Sequence, residues 1–266
     1  MSVIVIKYGG SLLENAADRR SFLKAVSSIN GKDKVILVHG GGKEITKAFE
    51  AKGIRTVFEE GLRVTPDEAA MAVVETVLKD INDRIVRELR EFGVQAKGYS
   101  GKSRQVMLAH VMNEELLGLV GLPFDVKPDI LKQIVDETAL PVFYSVATDE
   151  SGRTLNINAD EFAWKIAVSY PGQANRLIFL TDSGGVVREG KVLDRIFAYQ
   201  VQDLIDKKVI TGGMIVKAQA CRDALLLGVP QVDIAQRIRF SKKTGTLEIE
   251  GTSFIKTKTE KIKHGH

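Results

Sequence analysis

Two lysines stand beside paired glycines in this chain. Lys7 precedes Gly9-Gly10, and Lys217 lies four residues after Gly213, in a turn that reads Thr211-Gly212-Gly213. An ammonium group in such a place could neutralise the charge that builds as a phosphoryl group moves. Gly40-Gly41-Gly42 and Gly184-Gly185 complete a set of four glycine turns. Glycine lets backbone come close to a ligand, and a helix N-terminus offers free N–H groups to phosphates and carboxylates. Lysine is ordinarily a surface residue, yet Lys7 closes an apolar run that should be buried. Neither G-x-x-x-x-G-K-[ST] nor G-x-G-x-x-G occurs, which argues against a P-loop protein and a dinucleotide dehydrogenase.

The elements that must position these residues are legible. Apolar runs at 3–7 and 34–38 each end in a glycine turn, and amphipathic stretches follow at 15–28 and 43–51. Strand, glycine loop and helix, repeated, predict a parallel sheet with helices on its faces. Ligands then gather at the carboxyl ends of the strands. After Thr65-Pro66, the residues Ala70, Val73, Val74, Val77, Leu78, Ile81, Ile85 and Leu89 recur at helical spacing. Thr65 is expected to cap this helix, Pro66 to occupy its first turn and Gly93 to end it. Strands or hairpins are expected at 96–99, 106–120, 140–146, 176–180, 186–193 and 232–235, and helices at 128–138, 158–170, 199–205 and 215–227. No flexible linker is visible, so two lobes are expected to share one sheet.

The 266 residues are 44% hydrophobic and 27% charged, ordinary for a soluble globular chain. There is no run long enough to span a membrane and no signal-peptide pattern. Cys221 is the only cysteine, which excludes an internal disulfide and points to the cytoplasm; its apolar helix face predicts a core position. The net charge is +4, and the excess lies from Arg237 onward, in Lys242, Lys243, Lys256, Lys258, Lys261 and Lys263. Little aromatic interleaving accompanies these lysines, so a solvated, fraying end is expected rather than a nucleic-acid patch.

Several pieces together are more specific. They are Lys7-Tyr8-Gly9-Gly10-Ser11, Val38-His39-Gly40-Gly41-Gly42, Gly61-Leu62-Arg63-Val64-Thr65, Ser100-Gly101-Lys102, Asn156-Ile157-Asn158-Ala159-Asp160, Leu180-Thr181-Asp182 and Thr211-Gly212-Gly213-Met214 leading to Lys217. In this order they resemble the amino acid kinase family, and the third and fifth resemble its acetylglutamate branch. The resemblance implies an α/β three-layer sandwich, with a central, mainly parallel open sheet and helices on both faces. It implies one domain over 1–266, with an acceptor-binding and dimerisation lobe at 1–173 and a nucleotide-binding lobe at 174–266. The activity it implies is ATP-dependent phosphorylation of the γ-carboxylate of N-acetyl-L-glutamate, a step of arginine biosynthesis.

The same resemblance assigns roles. Lys7 and Lys217 would stabilise the transition state, Asp160 would orient both, and Gly10 would give a backbone N–H to the moving phosphoryl group. Gly41 and Gly42 would hold the γ-carboxylate of the acceptor, Arg63 its α-carboxylate, and Asn156 would lie near the acetylamido group. Asp182, Ser183, Gly184, Gly185, Val186, Val209, Ile210 and Thr211 would hold ATP. Mg2+ would ride on the phosphates through water, without dedicated protein ligands. A homodimer joined through 68–92 is implied, with no membrane or nucleic-acid partner. The chain begins directly at its first strand, so the added N-terminal helix of arginine-inhibited members is not expected. A carboxylate acceptor is already ionised at neutral pH and needs no base, so His39 is expected to be structural, and Trp164 a packing residue.

Three segments depart from the family pattern: Ser103-Arg104-Gln105, 147–151, and 233–255 with its basic, hairpin-like text. The first two could touch the acyl group, which leaves open a relative acting on N-succinylglutamate or an N-blocked aminoadipate. A nonenzymatic amino-acid or nucleotide sensor is the other alternative; the joint presence of Lys7, Lys217 and Asp160 argues against it.

Overall fold

The computed structural model describes residues 2–9, 13, 15–29, 31–172, 174–241 and 243–256. Gly10 therefore lies outside the described residues, as do Ser11, Lys242 and the lysines beyond Lys256.

The first strands, β1 (Val3–Tyr8) and β2 (Lys34–His39), run parallel in register from Val3 opposite Lys34 to Tyr8 opposite His39. Both faces of β1 are buried. Val3 and Val5 enter one core, while Ile4, Ile6 and Tyr8 enter the other, as expected of a strand covered on both sides. Between the two strands runs α1 (Ala16–Ile29). Asn15 caps it by accepting from the N–H groups of Ala17 and Asp18 at 2.9 and 3.1 Å, and Phe22, Leu23, Val26 and Ile29 face the second core. The helix α2 (Gly42–Ala51) starts within the triple glycine. A two-stranded ribbon, β3 (Phe58–Glu59) with β4 (Leu62–Arg63), leads to the long helix α3 (Glu68–Glu91).

That helix starts two residues later than the Thr65-Pro66 signal predicts. Asp67 is its cap and accepts from the Ala70 N–H at 2.8 Å. Thr65 is instead fully buried and bridges to the chain near Gly118: its N–H donates to the Leu117 carbonyl and its carbonyl accepts from Leu119. Tertiary pairing has claimed the residue that local chemistry offers as a cap. The helix stops before Gly93, whose φ of 77° suits glycine.

The remaining elements complete two assemblies. The first is a sheet of eight strands in the order β14 (Arg195–Phe197), β16 (Thr246–Ile255), β15 (Gln231–Ser241), β11 (Arg176–Leu180), β1, β2, β8 (Leu140–Tyr144) and β5 (Ala96–Ser100). The six strands from β15 to β5 are parallel, and β16 runs antiparallel to β15. The second is a small closed barrel of β6 (Met107–Val111), β7 (Val120–Val126), β9 (Val146–Thr148) and β10 (Thr154–Ile157); a separate ribbon, β12 (Val187–Arg188) with β13 (Lys191–Val192), falls where the 186–193 hairpin is expected. The expected single strand over 140–146 is thus broken at Ser145, where the chain passes from the sheet to the barrel. Lys102 ties the barrel to α3, with its Nζ 2.8 Å from Glu75 and 3.1 Å from Thr154 Oγ1.

Helices cover both faces, so the three-layer arrangement holds. One core includes α1 and the C-terminal half of α3. The other includes α6 (Ala159–Ser169) and α8 (Gly213–Leu226), together with α5 (Pro128–Asp136) and α7 (Gln200–Asp206); the single-turn α4 (Glu114–Leu117) sits beside the barrel. Cys221 is fully buried on α8, as its apolar setting predicts.

The basic segment after Arg237 overturns the expected fraying end and bears out its hairpin-like text. It is no fraying end as far as Lys256: residues 237–241 extend β15, and 246–255 return as β16 in a paired hairpin. Arg239 meets Glu250 across it, so acidic partners on the return strand offset the cations. No helix among the described residues is long and apolar enough to cross a membrane.

Candidate active site

Where β1 and β2 end, a cleft of about 530 Å³ opens between the glycine turns, the β3–β4 ribbon and the start of α6. Lys7, Gly9, Gly40, Gly41, Gly42, Arg63, Asn156 and Asp160 all line it. Residues far apart in sequence therefore meet in one place, and the structure joins the acceptor-side expectations to half of the lysine pair.

At one end, Asp160 bridges the two lysines. Its Oδ1 is 2.9 Å from Lys7 Nζ and its Oδ2 is 2.8 Å from Lys217 Nζ. Each partner arrives for a local reason. Lys7 is the penultimate residue of β1, and its side chain folds over Gly9, where a Cβ would lie 2.9 Å from Nζ. Asp160 sits in the first turn of α6, where the helix dipole favours a carboxylate, and its N–H donates to the capping Asn158 side chain at 2.8 Å. Lys217 projects from α8, which begins directly after Gly212. Burial alone would raise the Asp160 pKa, but the attraction and hydrogen bonds of Lys7 and Lys217 outweigh it and hold the group at about 2. One carboxylate between two ammonium groups leaves a net positive charge facing the cleft.

At the other end sits Arg63, 7% exposed. Its Nη2 donates to the Gly42 carbonyl and, at 2.7 Å, to Thr46 Oγ1. Phe58 and Phe49 flank it, with ring centroids 4.7 and 5.5 Å from the guanidinium carbon. Its Nη1 is buried and makes no hydrogen bond, and no ion pair to Arg63 occurs among the described residues. Burial pushes its pKa down. A desolvated cation with an idle donor in a cleft is a seat for an anion, and its planar fork suits a carboxylate.

Asn156 completes the wall between them, its Nδ2 donating to Thr65 Oγ1 at 3.1 Å. Thr46, Phe58 and Ser145 also line the cleft and escaped the sequence reading. Thr46 carried a usable signal, one helical turn after the triple glycine; Phe58 carried none, because the ribbon that brings it over Arg63 is not evident locally.

The nucleotide-side residues do not line this cleft. Asp182, Ser183, Gly184, Gly185 and Val186 follow β11, and Val209, Ile210 and Thr211 precede α8. Val186 and Ile210 are each 1% exposed and pack in the core, so only their backbone could meet a ligand. The Val186 N–H is taken by Thr252 Oγ1 at 2.9 Å. Nor do the departing segments reach the cleft: Arg104 pairs with Glu137 on the surface, and Asp149 accepts from Ser151 and Arg153 in a turn of its own. The argument for a larger acyl group loses its support there. His39 and Trp164 are not among the residues lining the cleft, and Trp164 packs against the main core.

A parallel α/β sheet that ends in glycine turns, with a lysine–aspartate–lysine group facing an unpaired arginine, defines a phosphotransferase that brings two anions together. The chain belongs to the amino acid kinase family, whose sequence model matches residues 2–236. An acetylglutamate kinase from Endomicrobium trichonymphae is 37% identical over 250 residues, which cover 93% of this chain and 96% of that one. An acetylglutamate kinase from Bacillus cereus is 37% identical over 244 residues, covering 91% and 93%. The crystal structure of smu.665 from Streptococcus mutans UA159 superposes with a TM-score of 0.82 at 29% identity, covering 96% of this chain and 99% of its own.

Proposed function

We propose that this chain transfers the γ-phosphoryl group of ATP to the γ-carboxylate of N-acetyl-L-glutamate, giving N-acetylglutamyl 5-phosphate and ADP, in arginine biosynthesis. The observation that carries the reading is Arg63: a buried guanidinium with an idle Nη1, in the same cleft as the Asp160 carboxylate that pairs Lys7 and Lys217. The names of the two relatives support the choice of acceptor.

In this reading Arg63 grips the α-carboxylate, and Asn156 lies near the acetylamido group. The N–H groups of Gly41 and Gly42 hold the γ-carboxylate, whose ionised oxygen attacks phosphorus without a base. The bond to the β-phosphate oxygen breaks, and ADP leaves with that electron pair. Lys7 and Lys217 neutralise the charge spread over the moving group, and Asp160 keeps both ammonium groups on it. Gly10 gives it an N–H. Residues 182–186 and 209–211 hold the nucleotide, and the lobes are 1–173 and 174–266. Magnesium enters as part of MgATP. In this reading phosphate and water supply its ligands, since both oxygens of Asp160 are engaged by lysines. A cytoplasmic homodimer joined through α3 belongs to the same reading and rests on the family likeness alone.

The test is ADP release coupled to a reporter, with N-acetylglutamate, N-succinylglutamate and free glutamate as acceptors. Turnover is expected with the acetyl compound and lost with the free amine. Turnover with the succinyl compound alone would move the acceptor, and none with any of the three would end the kinase reading. Arg63→Ala is expected to raise the acceptor KM by about ten- to a hundredfold, the worth of a charged hydrogen bond, with a much smaller change in kcat. An unaltered acceptor KM would remove Arg63 from the site.

A further inference from the structure

His39 is a buried titratable group that the reaction does not use. It closes β2 and is 1% exposed. Its Nδ1 lies 2.9 Å from the Gly40 carbonyl oxygen, and its Nε2 lies 3.0 Å from Asn82 Nδ2 on α3. Asn82 is 2% exposed, and its Nδ2 also donates to the Val142 carbonyl at 2.9 Å. On the other side, its Oδ1 is pressed against Gly98, where a Cβ would come within 2.1 Å. Turning the amide over would set its oxygen against the Val142 carbonyl, so Nδ2 is the donor to both partners. The His39 Nε2 must then accept, and the ring proton sits on Nδ1 and goes to Gly40. Burial above all, with the nearby charge of Arg84 adding and the Gly40 hydrogen bond opposing, lowers the His39 pKa to about 4, so the ring is neutral at neutral pH.

We propose that the Val142–Asn82–His39 relay positions the glycine cradle by fixing the peptide plane between Gly40 and Gly41. The Gly40 carbonyl and the Gly41 N–H share that plane and, in a trans peptide, point in opposite directions. Drawing the carbonyl back to His39 turns the Gly41 N–H away from it, on a turn whose three glycines all line the cleft. Glycine constrains its own backbone least; the Gly41 carbonyl accepts from the Ile45 N–H at 2.8 Å and the Gly42 carbonyl from Arg63 and Thr46, and His39 is what holds the Gly40 carbonyl. The relay supplies the rigidity that the glycines lack, from β8 and α3, and makes His39 and Asn82 positioning residues for the acceptor carboxylate. This inference rests on the proposed acceptor site.

Two variants separate the halves of the relay. The amide of Asn reaches the place of Nδ1, so His39→Asn keeps a donor for Gly40. The longer Gln reaches the place of Nε2, so His39→Gln keeps the contact with Asn82 and loses the Gly40 bond. His39→Gln is expected to lower kcat/KM for the acceptor by about ten- to a hundredfold, the scale of a misplaced contact group, while the KM for ATP stays within about threefold. His39→Asn should recover most of that loss. Equal effects of the two variants, or acceptor and ATP constants moving together, would overturn the relay.

A second readout is independent of activity. Long-range proton–nitrogen correlation on the 15N-labelled chain should show His39 protonated at Nδ1 and bare at Nε2. Only four histidines are present, so the signal is assigned by its loss in His39→Gln. A proton on Nε2 would overturn the arrangement, and a correct tautomer in a chain that phosphorylates no acylglutamate would overturn the acceptor-site reading beneath it.

Discussion

Replacing Lys217 by Met is expected to lower kcat by about 10²- to 10³-fold, the usual cost of one transition-state donor, or about 3–4 kcal/mol of barrier. The acceptor KM should change little, because Arg63 and the glycine cradle bind that substrate without Lys217. Stability should change little too. Asp160 keeps Lys7 at 2.9 Å, so the substitution strands no buried charge, and the Lys217 side chain is 28% exposed. Lys217→Arg should not rescue, since a planar fork cannot put one compact charge where an ammonium sat. Steady-state kinetics in both substrates, with a thermal melt as control, decide the matter. A variant that keeps more than about a third of wild-type kcat would remove Lys217 from the reaction and leave it as a surface partner of Asp160.

Much of this site could be read before the fold was known, for an identifiable reason. Lys7, Gly40 to Gly42 and Lys217 sit where a continuous apolar run gives way to glycine, or where glycine gives way to a helix, and such boundaries are written locally. Asp160 was legible only through the family resemblance of Asn156-Ile157-Asn158-Ala159-Asp160; by position alone it is an ordinary early-helix carboxylate. What escaped was set by distant partners. Thr65 looks like a cap until Leu117 and Leu119 are brought beside it. The barrel strands β9 and β10 are three and four residues long, too short to show a period. The β15–β16 hairpin was legible in outline but not in extent, because Arg237 and Arg239 on one strand find Glu248 and Glu250 only after pairing. The aromatic walls around Arg63 come from α2 and the β3–β4 ribbon, and no spacing rule links Phe49, Phe58 and Arg63. Local chemistry thus announced several of the groups that come together, and long-range packing decided how firmly each is held.

Asp160 tests that division most directly, because it touches neither substrate in the proposed reaction and acts through the lysines. Asp160→Asn is expected to lower kcat by about 10²-fold while the KM for ATP stays level or falls. The neutral amide leaves two ammonium groups near one another, so the site becomes more positive and attracts phosphate at least as well, but the charges are no longer aimed. Lys7 is 14% exposed and has little room to retreat; Lys217 has more. A binding residue would give the opposite split, with KM rising as kcat holds. The pH dependence of stability supplies a second signature. The carboxyl is held at about 2 in the folded chain, against 3.8 for an unperturbed group. The ionised form therefore stabilises the fold by about 2 kcal/mol. That contribution is complete above pH 4 and disappears as pH falls through 2. Chemical denaturation of wild type and Asp160→Asn across that interval should show the wild-type advantage shrinking as the solution becomes more acidic. An advantage that is flat or grows towards low pH would mean that the lysines do not hold Asp160 ionised, and the orienting role would fall with it.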